Sequence, residues 1–196
     1  MVLILVLTWA FQAINMLFRD IPGHSDTKNM LLKAVSANRI GHALLFSGQE
    51  NGAQLAMAMA FVQYLFCSEK NEIDACGKCD SCVKVNHLTH PDVHFIFPTA
   101  TTKEVGKDPN SGKFMSQWRE SVTSNPYISL HEWLRNIGAD KKLGAIPTSE
   151  ALEVIRAFSL KGYESSNRVM IIWKPELMNI AGLNKLLKII EEPPSN

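Results

Sequence analysis

All four cysteines of the chain, Cys67, Cys76, Cys79 and Cys82, fall in one short stretch, and no other feature narrows the possible folds as much. Disulfides that staple a secreted domain are spread along it, whereas clustered thiols at C-x2-C spacing point to a reduced compartment and a bound metal. The pattern Cys67-x8-Cys76-x2-Cys79-x2-Cys82 supplies four thiolates, enough to close a tetrahedral site for Zn2+. Gly77 gives the tight turn that lets backbone amides face the sulfurs. A site closed by four thiolates leaves no open coordination position, so the zinc is expected to be structural. A ferredoxin-type iron–sulfur cluster needs a further Cys next to Pro, and Val83 to Asn86 offer neither. Nothing sets one C-x2-C apart as a redox pair. His87, His90 and His94 lie close, but four cysteines leave them as ordinary loop and strand residues. The zinc module is expected over 67–90.

The bulk numbers fit one medium domain with a real core: 196 residues, 46% of them hydrophobic. Twenty Lys and Arg against nineteen Asp and Glu give a formal charge of +1, which argues against a free-standing nucleic-acid binder with a strongly basic face. It leaves room for a subunit that touches DNA only within an assembly. The opening MVLILVLTWAFQAIN has no Lys or Arg before its apolar run and no A-x-A-like site after it, so it does not read as a signal peptide. It is also too short to span a bilayer, which takes about 20 residues. Residues 1–15 are expected to be a non-native extension, with translation starting at Met16.

Along the chain, Ser25 and Asp26 are N-cap candidates for a helix through Met30–Val35. The short apolar run His42–Phe46 predicts a buried parallel strand. A Gly-containing loop, Gly48 to Gly52, and a long apolar helix, Leu55–Leu65, follow it. This order of strand, Gly loop and helix opens a nucleotide-binding α/β domain. A second strand is expected at Val93–Phe97 and a third at Arg168–Trp173. Helices are expected at Leu130–Asn136, from Thr148 with Glu150 in its first turn to about Leu160, and at Asn179–Ile190. Pro193 and Pro194 cannot continue that last helix. Segment 99–147 is polar over most of its length and predicts an exposed insertion, docked by Phe114, Trp118 and Trp133. Lys141 and Lys142 read as a solvated pair.

A working phosphate loop, G-x-x-x-x-G-K-[ST], cradles phosphates with backbone N–H groups, neutralises them with Lys and holds Mg²⁺ through the hydroxyl. Here the frame reads Gly48-Gln49-Glu50-Asn51-Gly52-Ala53-Gln54-Leu55. Ala53 adds a Cβ where phosphate must approach closely, Gln54 brings no positive charge, and Leu55 cannot ligate a hard cation. Downstream, where such an ATPase follows a strand with a Mg²⁺-binding Asp, Val169–Ile172 run into Trp173, Lys174, Pro175 and Glu176. Glu176 alone has no phosphate to act on and reads as a solvated acid at a helix start. Two sites have lost their catalytic groups, so ATP is not expected at this chain's own site, and no catalytic residue is assigned.

At this point the residues carry a resemblance. Met16-Leu17-Phe18-Arg19-Asp20-Ile21-Pro22-Gly23-His24 and Asn38-Arg39-Ile40-Gly41-His42-Ala43-Leu44-Leu45-Phe46 look like the opening of AAA+ clamp-loader subunits of bacterial DNA polymerase III. Asn184-Lys185-Leu186-Leu187-Lys188-Ile189-Ile190-Glu191-Glu192-Pro193-Pro194 is similar to their N-A-L-L-K-x-L-E-E-P-P signature, departing at Lys185 and Ile190. The four cysteines and His90-Pro91-Asp92 also fit. The resemblance implies a doubly wound AAA+ parallel sheet flanked by helices, with the cysteine module inserted. Motor subunits of the family keep an intact phosphate loop. The losses at Ala53, Gln54, Leu55 and Trp173 therefore imply the delta-prime type, a cytoplasmic bacterial scaffold that helps load the sliding clamp onto primed DNA. Its implied partners are the gamma/tau motor subunits and delta. The family's arginine finger, its lid and its collar domain belong to segments after the E-E-P-P helix, and the chain is expected to be truncated before the last strands. Two other readings stay open: an ATP-hydrolysing gamma/tau type motor, and a zinc-dependent nucleic-acid-binding protein.

Overall fold

The computed structural model of the chain describes residues 16–159, 162–165 and 167–191. The apolar run 1–15, with the question of its start, and Glu192, Pro193 and Pro194 lie outside the described residues. Helix α1 (Ser25–Ser36) follows His24, which takes the left-handed conformation at the N-cap and offers its carbonyl to Lys28 N–H. Ser25 and Asp26 are thus the first residues of the helix and not its caps. Asp26 sits in the first turn, where its charge suits the positive end of the helix dipole.

Helix α2 (Gln54–Phe66) has no solvent face. Leu55, Met59, Val62 and Phe66 recur at helical spacing and enter the largest hydrophobic cluster. Ala56, Met57, Ala60, Phe61 and Tyr64 face the opposite way, into a second cluster with Leu17, Phe18, Ile21, Leu31, Cys67, Ala75 and Cys82. Helix α3 (Asp80–Asn86) packs on α2 and leads to strand β1 (Val93–Ile96). Helices α4 (Met115–Ser124), α5 (Leu130–Asn136) and α6 (Thr148–Ser159) form the crossover to strand β2 (Val169–Ile172), and α7 (Ile180–Glu191) closes the described chain.

Strands β1 and β2 pair in parallel, Val93 opposite Val169 and Ile96 opposite Ile172. Alternate residues point to opposite faces of a strand. Val93, Phe95, Phe97, Val169 and Ile171 join α2, α4 and α5 on one face. Ile96, Met170 and Ile172 join Ala151, Val154 and Phe158 of α6 and Leu183 and Leu186 of α7 on the other. The result is a small two-stranded parallel sheet covered by helices on both sides. That accounts for the apolar character of both strands.

Two expectations are corrected. The run His42–Phe46 forms no strand. A strand needs a neighbour to complete its ladder, and among the described residues no backbone hydrogen bond ties 42–46 to one. Leu45 is 84% exposed, and only Phe46 turns inward, onto Phe61. Segment 99–147 is not an exposed insertion. Phe114, Trp118, Val122, Ile128, Trp133, Leu134 and Ile137 are buried in the largest cluster. Polar residues of 99–113 and the outer faces of α4 and α5 mask a stripe of large apolar side chains. Trp118 stacks on Phe97 with centroids 4.3 Å apart, and Trp133 meets both rings edge-on. Lys142 is not simply solvated either: its Nζ donates to the Thr101 carbonyl and hydroxyl, tying two loops together.

Beside the sheet, the buried Asp92 carboxylate accepts the backbone N–H groups of Tyr163, Glu164 and Ser165 at 2.6–2.9 Å. Burial pushes its pKa up, but those three bonds outweigh it and hold the carboxyl below its ordinary range. His90, buried against Phe66, accepts Asp92 N–H at Nδ1, and burial lowers its pKa despite the nearby charges of Asp92 and Glu164. Both groups bind protons less tightly folded than unfolded, so their contribution is present at neutral pH and lost as pH falls. Glu150, buried and raised by desolvation, acts in the opposite sense. Thermal melts should therefore show stability declining in two steps, first below the ordinary His pKa of about 6.5 and again below about 3.8. Burial lowers the His94 pKa as well, so a His90→Gln variant, which keeps an acceptor but cannot titrate, should shrink the first step, and adding His94→Gln should abolish it. Persistence of that step would assign it elsewhere.

Candidate functional site

The cysteines converge from both ends of the module. Cys67 caps the C-terminus of α2, Cys76 and Cys79 flank the turn at Gly77, whose φ is +76°, and Cys82 lies in α3. The four sulfurs all lie within 4.8 Å of one another, with Cys67–Cys79 and Cys76–Cys82 each at 3.9 Å. Sulfurs about 2.3 Å from a central zinc in a regular tetrahedron sit about 3.8 Å apart, so the set matches that ion's size. Backbone amides point at the sulfurs: Cys76 N–H at Cys67 Sγ, and Lys78 and Cys79 N–H at Cys76 Sγ, at 3.3–3.4 Å. Such donors stabilise thiolates. No disulfide is formed.

Burial pushes the Cys67 and Cys82 thiols up. It pulls the same way at Cys79, but hydrogen bonds from the Ser68 hydroxyl and from the Cys82 and Ser68 backbone outweigh it and bring that thiol down to about 6. Packing four sulfurs together thus leaves part of the set reluctant to ionise, and a dication at the centre would supply the missing charge. The three histidines stay outside this set. His90 is committed to Phe66 and Asp92, and His94 sits in β1 with its pKa lowered by burial.

The loop before α2 is closed on itself. Gly52 N–H bonds to the Gln49 carbonyl at 3.1 Å, and Asn51 adopts the left-handed conformation. Gln54 folds back so that its Nε2 donates to the same carbonyl at 2.7 Å. A Cβ placed on Gly48 would lie 2.6 Å from Gln54 Nε2, and one on Gly52 2.7 Å from Gln54 Oε1. The two glycines therefore make room for a side-chain amide, which occupies the hollow of the loop. Ala53 is the N-cap residue and makes no side-chain cap, and Leu55 is buried in the main cluster.

The end of β2 comes up beside this loop. Lys174, itself left-handed at φ 58°, places Nζ 3.9 Å from Glu50 and 3.7 Å from Glu176, whose side chain is mostly exposed. Trp173 does not face the loop as an acid would; its ring packs on Trp118 at 5.2 Å. The cation that stands beside the loop, Lys174, is thus paired with Glu50 and Glu176, while the Gln54 amide fills the hollow itself. Two clefts in the described surface lie elsewhere. One, about 280 Å³, is lined by Phe18, Lys28 and Asp74, and the other, about 190 Å³, by Thr99, Asp108 and Ser149.

The buried acids Asp74, Asp92 and Glu150 are the functional-looking residues that sequence pattern missed. Each answers backbone N–H groups, Glu150 at Ser111. In the sequence, Asp92 stood out only within His90-Pro91-Asp92 and Glu150 only as an acid in the first turn of its helix.

The family described as DNA polymerase III, delta subunit, matches residues 23–196. The chain belongs to that family. It is the family of clamp-loader subunits, acting in DNA replication, that the sequence resembles. Among relatives of the family, the gamma/tau subunit of Mycobacterium tuberculosis (strain H37Rv) is 28% identical over 91% of this chain and 24% of its own length. The delta' subunit of Bacillus subtilis (strain 168) is 23% identical over 84% of this chain and 36% of its own length. The delta' subunit of Buchnera aphidicola is 24% identical over 81% of the chain and 37% of its own length. The chain thus spans about a quarter to a little over a third of the length of these three curated relatives. Delta' and gamma/tau types both appear among them at similar identity. No helix among the described residues is long and apolar enough to cross a membrane.

Proposed function

We propose that this chain is a non-catalytic, delta-prime type subunit of the replicative clamp loader, built on an AAA+ domain whose own ATP site is dead. Its zinc is structural, its setting the bacterial cytoplasm, and its partners the gamma/tau motor and delta subunits. The sliding clamp and primed DNA are reached through that assembly. The single observation that carries the reading is the Gln54 amide sitting in the loop between Gly48 and Gly52. A nucleotide would have to expel it, and the Lys174 ammonium beside the loop is already paired with Glu50 and Glu176. Trp173 supports the reading independently, because its half-buried ring packs against the core.

Calorimetric titration of the purified chain with Mg-ATP is expected to give no binding heat at millimolar nucleotide, and co-purification with motor and delta subunits is expected to succeed. Unaided ATP binding or turnover would overturn the proposal. It would favour the gamma/tau reading, for which the 28% identity to the M. tuberculosis protein speaks. Tight, salt-sensitive DNA binding by the isolated chain would instead favour the third reading.

A further inference from the structure

Asp74 lies two residues before Cys76, is 3% exposed, and spends its carboxylate entirely on backbone amides. Its Oδ1 accepts Phe18 N–H at 3.1 Å and Ala75 N–H at 2.9 Å, and its Oδ2 accepts Arg19 N–H at 3.0 Å. Two of these donors belong to a segment far away in sequence. That segment, 16–21, has only a single 3-10 turn of its own, Phe18–Asp20. Leu17 and Phe18 nevertheless are buried in the second cluster, with Leu17 Cδ1 close over Gly77 and Phe18 beside Tyr64. The loop that presents Asp74 is itself braced. Asn71 Oδ1 accepts Ile73 and Asp74 N–H, the Asn71 carbonyl accepts the Tyr64 hydroxyl, and Cys76 N–H reaches Cys67 Sγ.

We propose that Asp74 is a positioning residue that couples metal occupancy of the cysteine cluster to docking of residues 16–21, and through them to the packing of α1. This rests on the reading that the cluster holds zinc. With Cys76 fixed on the metal, the carboxylate stands where the amides of Phe18 and Arg19 find it. With the metal gone, the loop keeps the Asn71 and Tyr64 braces but loses its fixed point at Cys76, and the hold of Asp74 on a segment with almost no structure of its own weakens. Coupling of this kind is reciprocal: docking must tighten the metal by the factor by which the metal tightens docking.

The test uses the full chain and begins with its zinc content by mass spectrometry. Hydrogen exchange is then followed in peptides covering 16–21, before and after a chelator strips the metal. Stripping is expected to raise exchange at Leu17–Ile21 by about tenfold, within the usual range of coupling energies. Asp74→Asn should keep its zinc yet exchange fast in both states. Phe18→Ala, which loosens the docked segment and leaves all four cysteines and the Asp74 carboxylate in place, should release zinc to a chromogenic chelator faster than the parent. Unchanged exchange after stripping, metal-dependent protection that survives in Asp74→Asn, loss of zinc from that variant, or unaltered release from Phe18→Ala would each overturn the coupling. A parent chain that holds no zinc at all would sink the metal reading and this proposal with it.

Discussion

Cys79→Ser will purify without stoichiometric zinc, and its melting transition will fall sharply or broaden beyond measurement. The serine hydroxyl is a poor replacement for a thiolate, and three ligands leave the tetrahedron open. Apparent zinc-binding energies of small structural sites run to about 10–16 kcal/mol, comparable with the whole stability of an ordinary domain at about 5–15 kcal/mol. Cys67 and Cys82 are members of the second hydrophobic cluster, so the loss does not stay in the module. It reaches Phe61 and Tyr64 of α2 and the segment that carries Leu17 and Phe18. Zinc per chain and circular dichroism against temperature read the two effects separately. Full zinc occupancy in the variant would show that the site closes without Cys79.

Trp118→Ala should be the most damaging single change in the interior, costing about 3–5 kcal/mol by urea denaturation. The ring is fully buried and touches Phe97, Trp133 and Trp173, so its removal empties the meeting point of sheet, α4 and α5. A comparison of milder changes separates volume from hydrogen bonding. Trp133 Nε1 donates to the Pro98 carbonyl at 2.7 Å, whereas Trp118 Nε1 has no partner among the described residues. Trp133→Phe strands a buried carbonyl at about 1–3 kcal/mol, while Trp118→Phe removes an unsatisfied donor. The first should therefore cost more than the second. Equal costs would mean that packing alone governs the cluster.

Periodicity made the local elements legible. α2 announced itself through an unbroken apolar run, α5 through Leu130–Asn136, and β1 and β2 through short β-branched and aromatic stretches ended by Pro98 and Trp173. What failed depended on partners distant in sequence. His42–Phe46 has strand composition, but a ladder is a property of two segments, and composition describes only one. Segment 99–147 looked exposed because most of its residues are polar. Its few large rings decide its fate, since each buries far more surface than several lysines expose.

The candidate sites divide the same way. Cys76, Cys79 and Cys82 could be placed together from sequence because C-x2-C spacing itself constrains the turn, and Cys67 joins them from the end of α2. The replacements Ala53, Gln54 and Leu55 showed what the loop lacks, but not that Gln54 fills it. That contact depends on a side-chain torsion and on the two glycines beside it. Asp74 was invisible, because an acid that answers the amides of Phe18 and Arg19 looks, in one dimension, like any surface aspartate.

A rod gripped along its whole circumference cannot slide, tilt or unwind to suit a guest, and α2 is such a rod. The turn at its front end is exposed but closed on itself, with Gly52 N–H and the Gln54 amide both on the Gln49 carbonyl. Loops that bind nucleotides work by giving way, closing over phosphate and relaxing after release. Here the helix on which such breathing would pivot is packed from two sides, so in the proposed assembly the chain would offer its neighbours the same contour throughout a motor cycle.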